Sequence, residues 1–218
     1  MNHLNISNRG RFFLYIFFQC LIILTNYIFY RFPDRGVYAY YTIQAIPLIE
    51  LFSFGFLIQN GKSVLKAFSS ILWISVFFFG IVFWAYAIFV TQINITQEEL
   101  FYLMEIIYFP AFVEQFNFSV IGVEIGSTIL KKGYAALLAV FFYGLYYFVI
   151  LINDMRGFPG IYFWFFILDS VGVGIIYITL YSVSKSIWLP MLVEISLIMS
   201  VIFIPPLPAA FFYTFVPS

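Results

Sequence analysis

Long apolar stretches, separated by short groups of charged and turn-forming residues, dominate the hydrophobic pattern of this chain. Each stretch has about the 20 residues that an α-helix needs to cross a bilayer. The pattern predicts about seven transmembrane helices, over Phe12–Tyr30, Tyr38–Ile58, Ala67–Val90, Ile106–Leu130, Tyr134–Ile152, Gly160–Val183 and Ser186–Ile204. We therefore expect an all-α, polytopic transmembrane helix bundle that forms a single integral membrane domain over residues 1–218.

The composition supports this class of protein and excludes several functions. Hydrophobic residues make up 64% of the chain and charged residues only 9%, whereas about 25% of a soluble domain is charged. The net charge is zero, so the basic surface that a nucleic-acid partner requires is missing. With Cys20 and His3 as the only cysteine and histidine, we expect no disulfide, zinc cluster, haem or other cofactor.

The distribution of basic residues predicts the orientation of the bundle. If the N-terminus is cytoplasmic, seven of the ten Lys and Arg lie on the cytoplasmic side, namely Arg9, Arg11, Lys62, Lys66, Lys131, Lys132 and Lys185. Cytoplasmic loops of membrane proteins carry such an excess of positive charge. We therefore expect a multi-pass protein of the cell membrane with its N-terminus in the cytoplasm and its C-terminus outside.

Acidic side chains inside the predicted spans are the candidate functional groups. They are Glu50, Glu114, Glu124, Asp169 and Glu194, and no Lys or Arg lies deep in a span to pair with them. Intramembrane acids usually face the interior of a bundle, where they form polar ties between helices or belong to a functional site. Both interpretations stay open for each acid at this point.

Helical spacing sharpens the picture around Glu114. On an α-helix Glu114 and Asn117 share one face, and a second stripe contains Gln115, Ser119, Gly122 and Gly126. Small residues on one stripe let a neighbouring helix approach closely. Glu114 and Glu194 each lie about eight residues into their spans, entered from opposite sides, so we expect them at similar depth. If they meet there, they share a proton.

Three stretches of the chain then show a resemblance to a known family. They are FPAFVEQFNFS at residues 109–119, AALLAVFFYGLY at 135–146 and SIWLPMLVEISLI at 186–198. In order and spacing they resemble the motifs of the CPBP family, the CAAX-protease and bacteriocin-processing (Abi) membrane proteins. The resemblance covers residues 105–204 and implies a CPBP-protease-like core in the C-terminal half.

The resemblance implies catalytic positions at Glu114, Gln115, Tyr146 and Glu194. In the family a glutamate pair activates water, and an arginine, two histidines and an asparagine complete the site. In this chain Glu114 keeps the position of the general base, but its neighbour is Gln115, which takes no proton. Tyr146 and Glu194 replace the two histidines, and Ser119 and Ile198 replace the arginine and the asparagine. We therefore expect proteolysis to be impaired, and if any survives, Glu114 is its general base.

The leading interpretation is a CPBP-like pseudoprotease that binds a hydrophobic peptide, a lipidated tail or a partner helix. Glu114, Tyr146 and Glu194 are expected to line its binding hollow, and the lipid bilayer is its other partner. One alternative is a structural subunit of a larger membrane complex without a site of its own. Another is a small transporter or proton pathway that uses the buried acids.

Overall fold

All regular structure in the described part of the chain is helical. The computed structural model describes residues 6–31, 45–46, 48–50, 52–54, 62–90, 112, 114–154 and 160–203. Its helices are α1 (Asn8–Arg31), α2 (Lys62–Lys66), α3 (Ile71–Val90), a π-helix (Gln115–Ile121), α4 (Gly122–Gly126), α5 (Lys132–Asp154), α6 (Gly160–Ser184) and α7 (Trp188–Phe203). The predicted all-α fold is confirmed over these residues.

Four helices are long and apolar enough to cross a membrane, judged by length and composition. These spans are Asn8–Ile28, Ile71–Val90, Lys132–Ile150 and Ile167–Ser184, and they correspond to the first, third, fifth and sixth predicted segments. The seventh segment contains the shorter apolar helix Trp188–Leu197. Most of the second segment and the first part of the fourth lie outside the described residues, so the total of seven stays a prediction.

The first helix begins at a serine cap. The hydroxyl oxygen of Ser7 accepts a hydrogen bond from the backbone N–H of Gly10 at 3.2 Å, and its carbonyl accepts one from Arg11 at 2.9 Å. Serine in this position satisfies a backbone donor that the first turn leaves unpaired. As a result α1 begins at Asn8, four residues before the apolar run that predicted it.

The third span begins later than its apolar run suggests. Helix α3 starts at Ile71, whereas the prediction placed its start at Ala67. The carbonyl of Ala67 accepts a hydrogen bond from the backbone N–H of Ile187 at 3.1 Å, and the carbonyl of Phe68 accepts one from the indole of Trp188 at 3.0 Å. These tertiary bonds hold the segment before α3 against the start of α7.

An antiparallel hairpin of the π-helix and α4 against α5 forms the centre of the structure. Contacts recur every four residues along both helices, in the pairs Gly126–Ala135, Gly122–Ala139, Phe118–Tyr143 and Glu114–Tyr147. A β-carbon on Gly122 would lie only 2.8 Å from that of Ala139. The expectation that small residues allow a close helix approach is therefore confirmed for this pair of helices.

The other helices pack around this hairpin. Helix α5 also contacts α1 and α6, while α7 packs against both α3 and α6. On α3, Gly80 lies against Leu192, and the indole N–H of Trp84 donates a hydrogen bond to the hydroxyl oxygen of Ser196 at 3.0 Å. Most of the surface of α3 is exposed and apolar, as expected for a helix that faces lipid.

Candidate functional site

The π-helix Gln115–Ile121 lies at the centre of the polar interior, and all seven of its side chains are buried. The backbone N–H of Gly122 bonds to the carbonyl of Asn117, five residues earlier. This wide winding is rare in proteins and often occurs at functional sites. It distributes the polar side chains of Gln115, Asn117 and Ser119 between two directions.

The first direction leads to an acid cluster, which consists of Glu114, Gln115, Ser119, Tyr147 and Glu194. The side-chain amide of Gln115 donates a hydrogen bond to Oε2 of Glu194 at 2.6 Å. The hydroxyl of Ser119, one turn later, donates to the amide oxygen of Gln115 at 2.8 Å. Gln115 therefore bridges the π-helix to α7 with both ends of its amide engaged.

The two carboxyl groups of the acid cluster meet, as their depths predicted. Glu114 and Glu194 form a hydrogen bond with each other, and the hydroxyl of Tyr147 donates to Oε2 of Glu114 at 2.8 Å. Glu114 is 3% exposed and Glu194 4%. A hydrogen bond between two carboxyls needs a proton on one of them, so the pair carries at most one negative charge.

Tyrosine rings surround the acid cluster. The ring centroids of Tyr143 and Tyr147 are 4.9 Å apart, and Tyr177 of α6 meets Tyr143 edge-on at 6.2 Å. Tyr146 packs against Tyr147 at 5.3 Å and lies close to Glu114. Tyr146 is half-buried, whereas the other three rings are buried, so it is the outermost residue of this shell.

The second direction leads to a group we call the α1 cluster, which consists of Tyr15, Gln19, Glu50 and Asn117. The amide of Gln19 donates to the side-chain oxygen of Asn117 at 2.6 Å, and the amide of Asn117 donates back at 3.4 Å. The prediction that Glu114 and Asn117 act on one shared face is therefore wrong. A π-helix needs more residues per turn than an α-helix, so positions three apart no longer line up.

The α1 cluster contains buried oxygens without hydrogen-bond partners. Both carboxyl oxygens of Glu50 and the hydroxyl oxygen of Tyr15 are inaccessible to solvent and unpaired. The amide of Gln19 lies beside the Glu50 carboxyl without completing a hydrogen bond. Buried polar groups in native structures are nearly always paired, so these atoms require an explanation.

The remaining predicted acids lie elsewhere. Oε1 of Glu124 forms a salt bridge with the ammonium of Lys185 at 3.0 Å and accepts a hydrogen bond from the hydroxyl of Tyr181 at 3.0 Å. Glu124 finds a basic partner although none lies deep in a span, because it lies near the end of its helix and meets Lys185 in the loop between α6 and α7. Asp169 on α6 is partly exposed and forms none of the hydrogen bonds of the acid cluster.

The structure therefore brings Glu114, Gln115, Tyr146 and Glu194 together in one place, as the motif positions suggested. Sequence reasoning missed Tyr147, which donates the hydrogen bond to Glu114. Its position opposite Glu114 follows from the four-residue repeat of contacts along α5, which the sequence alone does not show. The side chain of Ile198, the last motif position, lies outside the described residues.

The acid cluster is buried and fully engaged by its neighbours, which limits the chemistry that its two acids can perform. Each of its acids is buried and engaged by neighbouring side chains, so the pair holds a proton and joins the π-helix to α5 and α7. Where the structure describes the chain, no three His, Cys, Asp or Glu side chains group into a metal site. No family model, curated protein or solved structure matches this sequence.

Proposed function

We propose that this chain is a CPBP-like integral membrane protein that does not cleave peptides and that binds a hydrophobic peptide, a lipidated tail or a partner helix. One observation carries the proposal: the acids that the resemblance assigns to catalysis are buried and hydrogen-bonded to other side chains. In this proposal the resemblance reflects an inherited scaffold and not a retained catalytic activity.

The hydrogen bonds around Glu114 oppose a role as general base. Such a base must come within about 2.6–3.2 Å of the proton that it removes. Glu114 instead accepts from Tyr147 at 2.8 Å and shares a hydrogen bond with Glu194. Gln115, at the second position of the family's glutamate pair, binds no proton and holds Glu194 at 2.6 Å.

The loss of several catalytic groups at once reinforces this reasoning. Removal of a single oxyanion-stabilising donor lowers the rate of acyl transfer by about 10²–10³. Tyr146 stands at one histidine position and Glu194 at the other. In this arrangement the carboxyl of Glu194 is an acceptor for Gln115, so it offers no N–H to a developing oxyanion.

Tyr146 is where an apolar ligand would contact the cluster. Its side chain is half-buried, and its ring packs against Phe118 at 5.3 Å as well as against Tyr147. Tyrosine suits such an edge, because its ring offers apolar area and its hydroxyl reaches a polar partner. A peptide or isoprenoid chain that packs on this ring would lie next to Glu114 without contacting it.

We propose that the protein is multi-pass in the cell membrane, with its N-terminus in the cytoplasm and its C-terminus outside. Contacts among the basic segments support this orientation. Lys185 pairs with Glu124, and Glu124 lies a few residues before Lys131 and Lys132 in the chain. The residues that follow Lys66 form hydrogen bonds with Ile187 and Trp188. Predicted cytoplasmic segments therefore lie at the same end of the bundle.

The protease activity is tested with purified protein in proteoliposomes and a farnesylated CAAX peptide. We expect no cleavage above that of empty liposomes by mass spectrometry. Cleavage that disappears in Glu114→Gln and persists in Glu124→Gln would contradict the proposal and establish an enzyme. Glu124 is the matched control because it is an acid of the same segment outside the acid cluster.

Binding is tested separately with the same peptide carrying a photoreactive isoprenoid. We expect cross-linking to wild type and a reduction of at least about fivefold in Tyr146→Ala, equal to about 1 kcal/mol. Tyr134→Ala is the matched control, since Tyr134 is an exposed tyrosine of the same helix. Equal labelling of both variants, or no saturable labelling of wild type, would refute binding at Tyr146 while leaving the absence of proteolysis intact.

A further inference from the structure

The carboxyl of Asp169 is a polar group on the outer side of a membrane-spanning helix. Asp169 is partly exposed, and it forms no hydrogen bond or salt bridge with any described residue. It follows the start of α6 at Gly160 by roughly 13 Å along the helix axis, at 1.5 Å per residue. Since the hydrocarbon core of a bilayer is about 30 Å thick, this carboxyl lies near its middle, where its short side chain reaches no water.

The packing of α6 against α5 gives the same depth. A β-carbon added to Gly144 would lie 3.0 Å from a methyl group of Val171, and one added to Gly174 would lie 2.6 Å from the ring of Tyr143. The two helices therefore run antiparallel, and Asp169 lies near the level of the acid cluster. A carboxyl without a hydrogen bond is costly in hydrocarbon whether or not it is ionised, and acids at this depth usually face other protein.

Asp169 lies at the edge of a largely open helix face. At helical spacings of three and four it is followed by Gly172, Ile176 and Thr179, and we call these four residues the outer face of α6. Ile176 is 50% exposed, and a β-carbon on Gly172 would have no heavy atom within 4 Å. The outer face therefore combines an acid that needs a partner with a glycine that lets another helix approach closely.

Symmetry and hydrogen-bonding chemistry indicate a second copy of this chain as the occupant. Copies inserted in the same orientation are related by a two-fold axis along the membrane normal, so a residue near the axis meets its own copy at the same depth. Two carboxyls are self-complementary, because one that carries a proton donates to an oxygen of the other. A basic residue would have to come from a different protein, since the Lys and Arg of the described chain lie at helix ends or in loops.

We propose that two copies of this chain associate in the membrane through the outer face of α6, with Gly172 at the point of close approach and the two Asp169 carboxyls hydrogen-bonded one turn away. The interface is isologous, because each copy contributes the same face. The proposal is independent of peptide binding at Tyr146, which lies on α5 and packs against Phe118 and Tyr147.

The test measures energy transfer between donor- and acceptor-labelled copies of the full chain in liposomes, over a range of protein-to-lipid ratios. We expect wild type to form a reversible dimer. Asp169→Leu should raise the dissociation constant about 3–20-fold, the range for hydrogen bonds between membrane helices. Asp169→Asn should retain the association, because an amide also donates and accepts. Tyr146→Ala should dimerise like wild type, which separates this interface from the proposed peptide site.

A pair of glycine variants tests the close approach without disturbing the fold of one copy. Gly172 and Gly133 both have open space around an added β-carbon, so Gly172→Leu and Gly133→Leu should each keep the wild-type Tm at a dilution where the chain is monomeric. We expect Gly172→Leu to raise the dissociation constant at least about fivefold and Gly133→Leu to leave it unchanged.

Three results would overturn the proposal. The first is a wild-type chain that stays monomeric at the highest protein-to-lipid ratio. The second is a dimer that Asp169→Leu and Gly172→Leu both leave intact. The third is the loss of association in Asp169→Asn as well as in Asp169→Leu, because the interface would then need an ionised carboxyl with a basic partner.

Discussion

Replacement of Glu194 by leucine tests whether the acid cluster is a structural tie. The side chain accepts a hydrogen bond from Gln115 at 2.6 Å and forms another with Glu114. Leucine fills a similar volume but removes both bonds, which leaves the side-chain N–H of Gln115 without its acceptor and Glu114 with Tyr147 as its remaining partner. Hydrogen bonds between membrane helices average about 0.6 kcal/mol, and an unsatisfied buried group costs about 1–3 kcal/mol.

The expected loss follows from these limits. Two average bonds set a lower limit of about 1 kcal/mol, and the gain from burying leucine offsets part of the larger desolvation cost. We expect Glu194→Leu to lose about 1–3 kcal/mol, which lowers Tm by about 2–12 °C for a chain of this size. Glu194→Gln keeps an acceptor for Gln115 and gains a donor toward Glu114, so it should lose less than about 1 kcal/mol.

The assay is thermal unfolding in detergent, followed by the fluorescence of the tryptophans, one of which, Trp188, begins α7. Glu124→Leu is the control, since the salt bridge of Glu124 is partly exposed and such pairs contribute about 0–1 kcal/mol. If Glu194→Leu unfolds at the wild-type temperature, the cluster is not a tie. If Glu194→Gln is as unstable as Glu194→Leu, negative charge rather than hydrogen bonding holds the helices together.

Two further predictions concern helix packing. Gly122→Ala should lower the free energy of unfolding by about 1–3 kcal/mol, because the added β-carbon would lie 2.8 Å from that of Ala139. A second substitution in the same chain, Ala139→Gly, should restore the lost stability in thermal unfolding. Gly133→Ala is the control and should lose no stability, because Gly133 has open space around it. Trp84→Phe should lower the free energy of unfolding by about 0.6 kcal/mol, because it removes the hydrogen bond to Ser196. A double-mutant cycle with Ser196→Ala should show a coupling energy of that size. Additive losses in the two single variants would contradict the prediction.

The long helices could be predicted from sequence because their signal is additive over many residues. The predicted spans Tyr134–Ile152 and Gly160–Val183 differ from α5 and α6 by at most two residues at each end. The start of α3 was wrong by four residues, since Ala67 is apolar and its use as a hydrogen-bond acceptor for Ile187 is a tertiary effect. Apolar runs therefore identify helices but not the contacts that end them.

The meeting of Glu114 and Glu194 could be predicted because depth in a helix is set by residue count alone. The partners of Asn117 could not, since the prediction assumed α-helical spacing and the chain winds as a π-helix there. Nothing in the seven letters QFNFSVI distinguishes the two windings, because all seven side chains are buried and buried helices lack an amphipathic pattern.

The winding at this point also explains why the acid on one side of the π-helix is hydrogen-bonded and the acid on the other side is not. Neutral amides two residues apart do not face each other on a helix, and here they reach opposite neighbours. Gln115 meets an acid that it can satisfy, at 2.6 Å from Glu194. Asn117 meets another amide, Gln19, and the two engage each other instead of the acid beside them. Glu50 is therefore left unpaired beside the same element that completes the acid cluster, so one change in helical pitch accounts for both the closed tie and the unpaired acid.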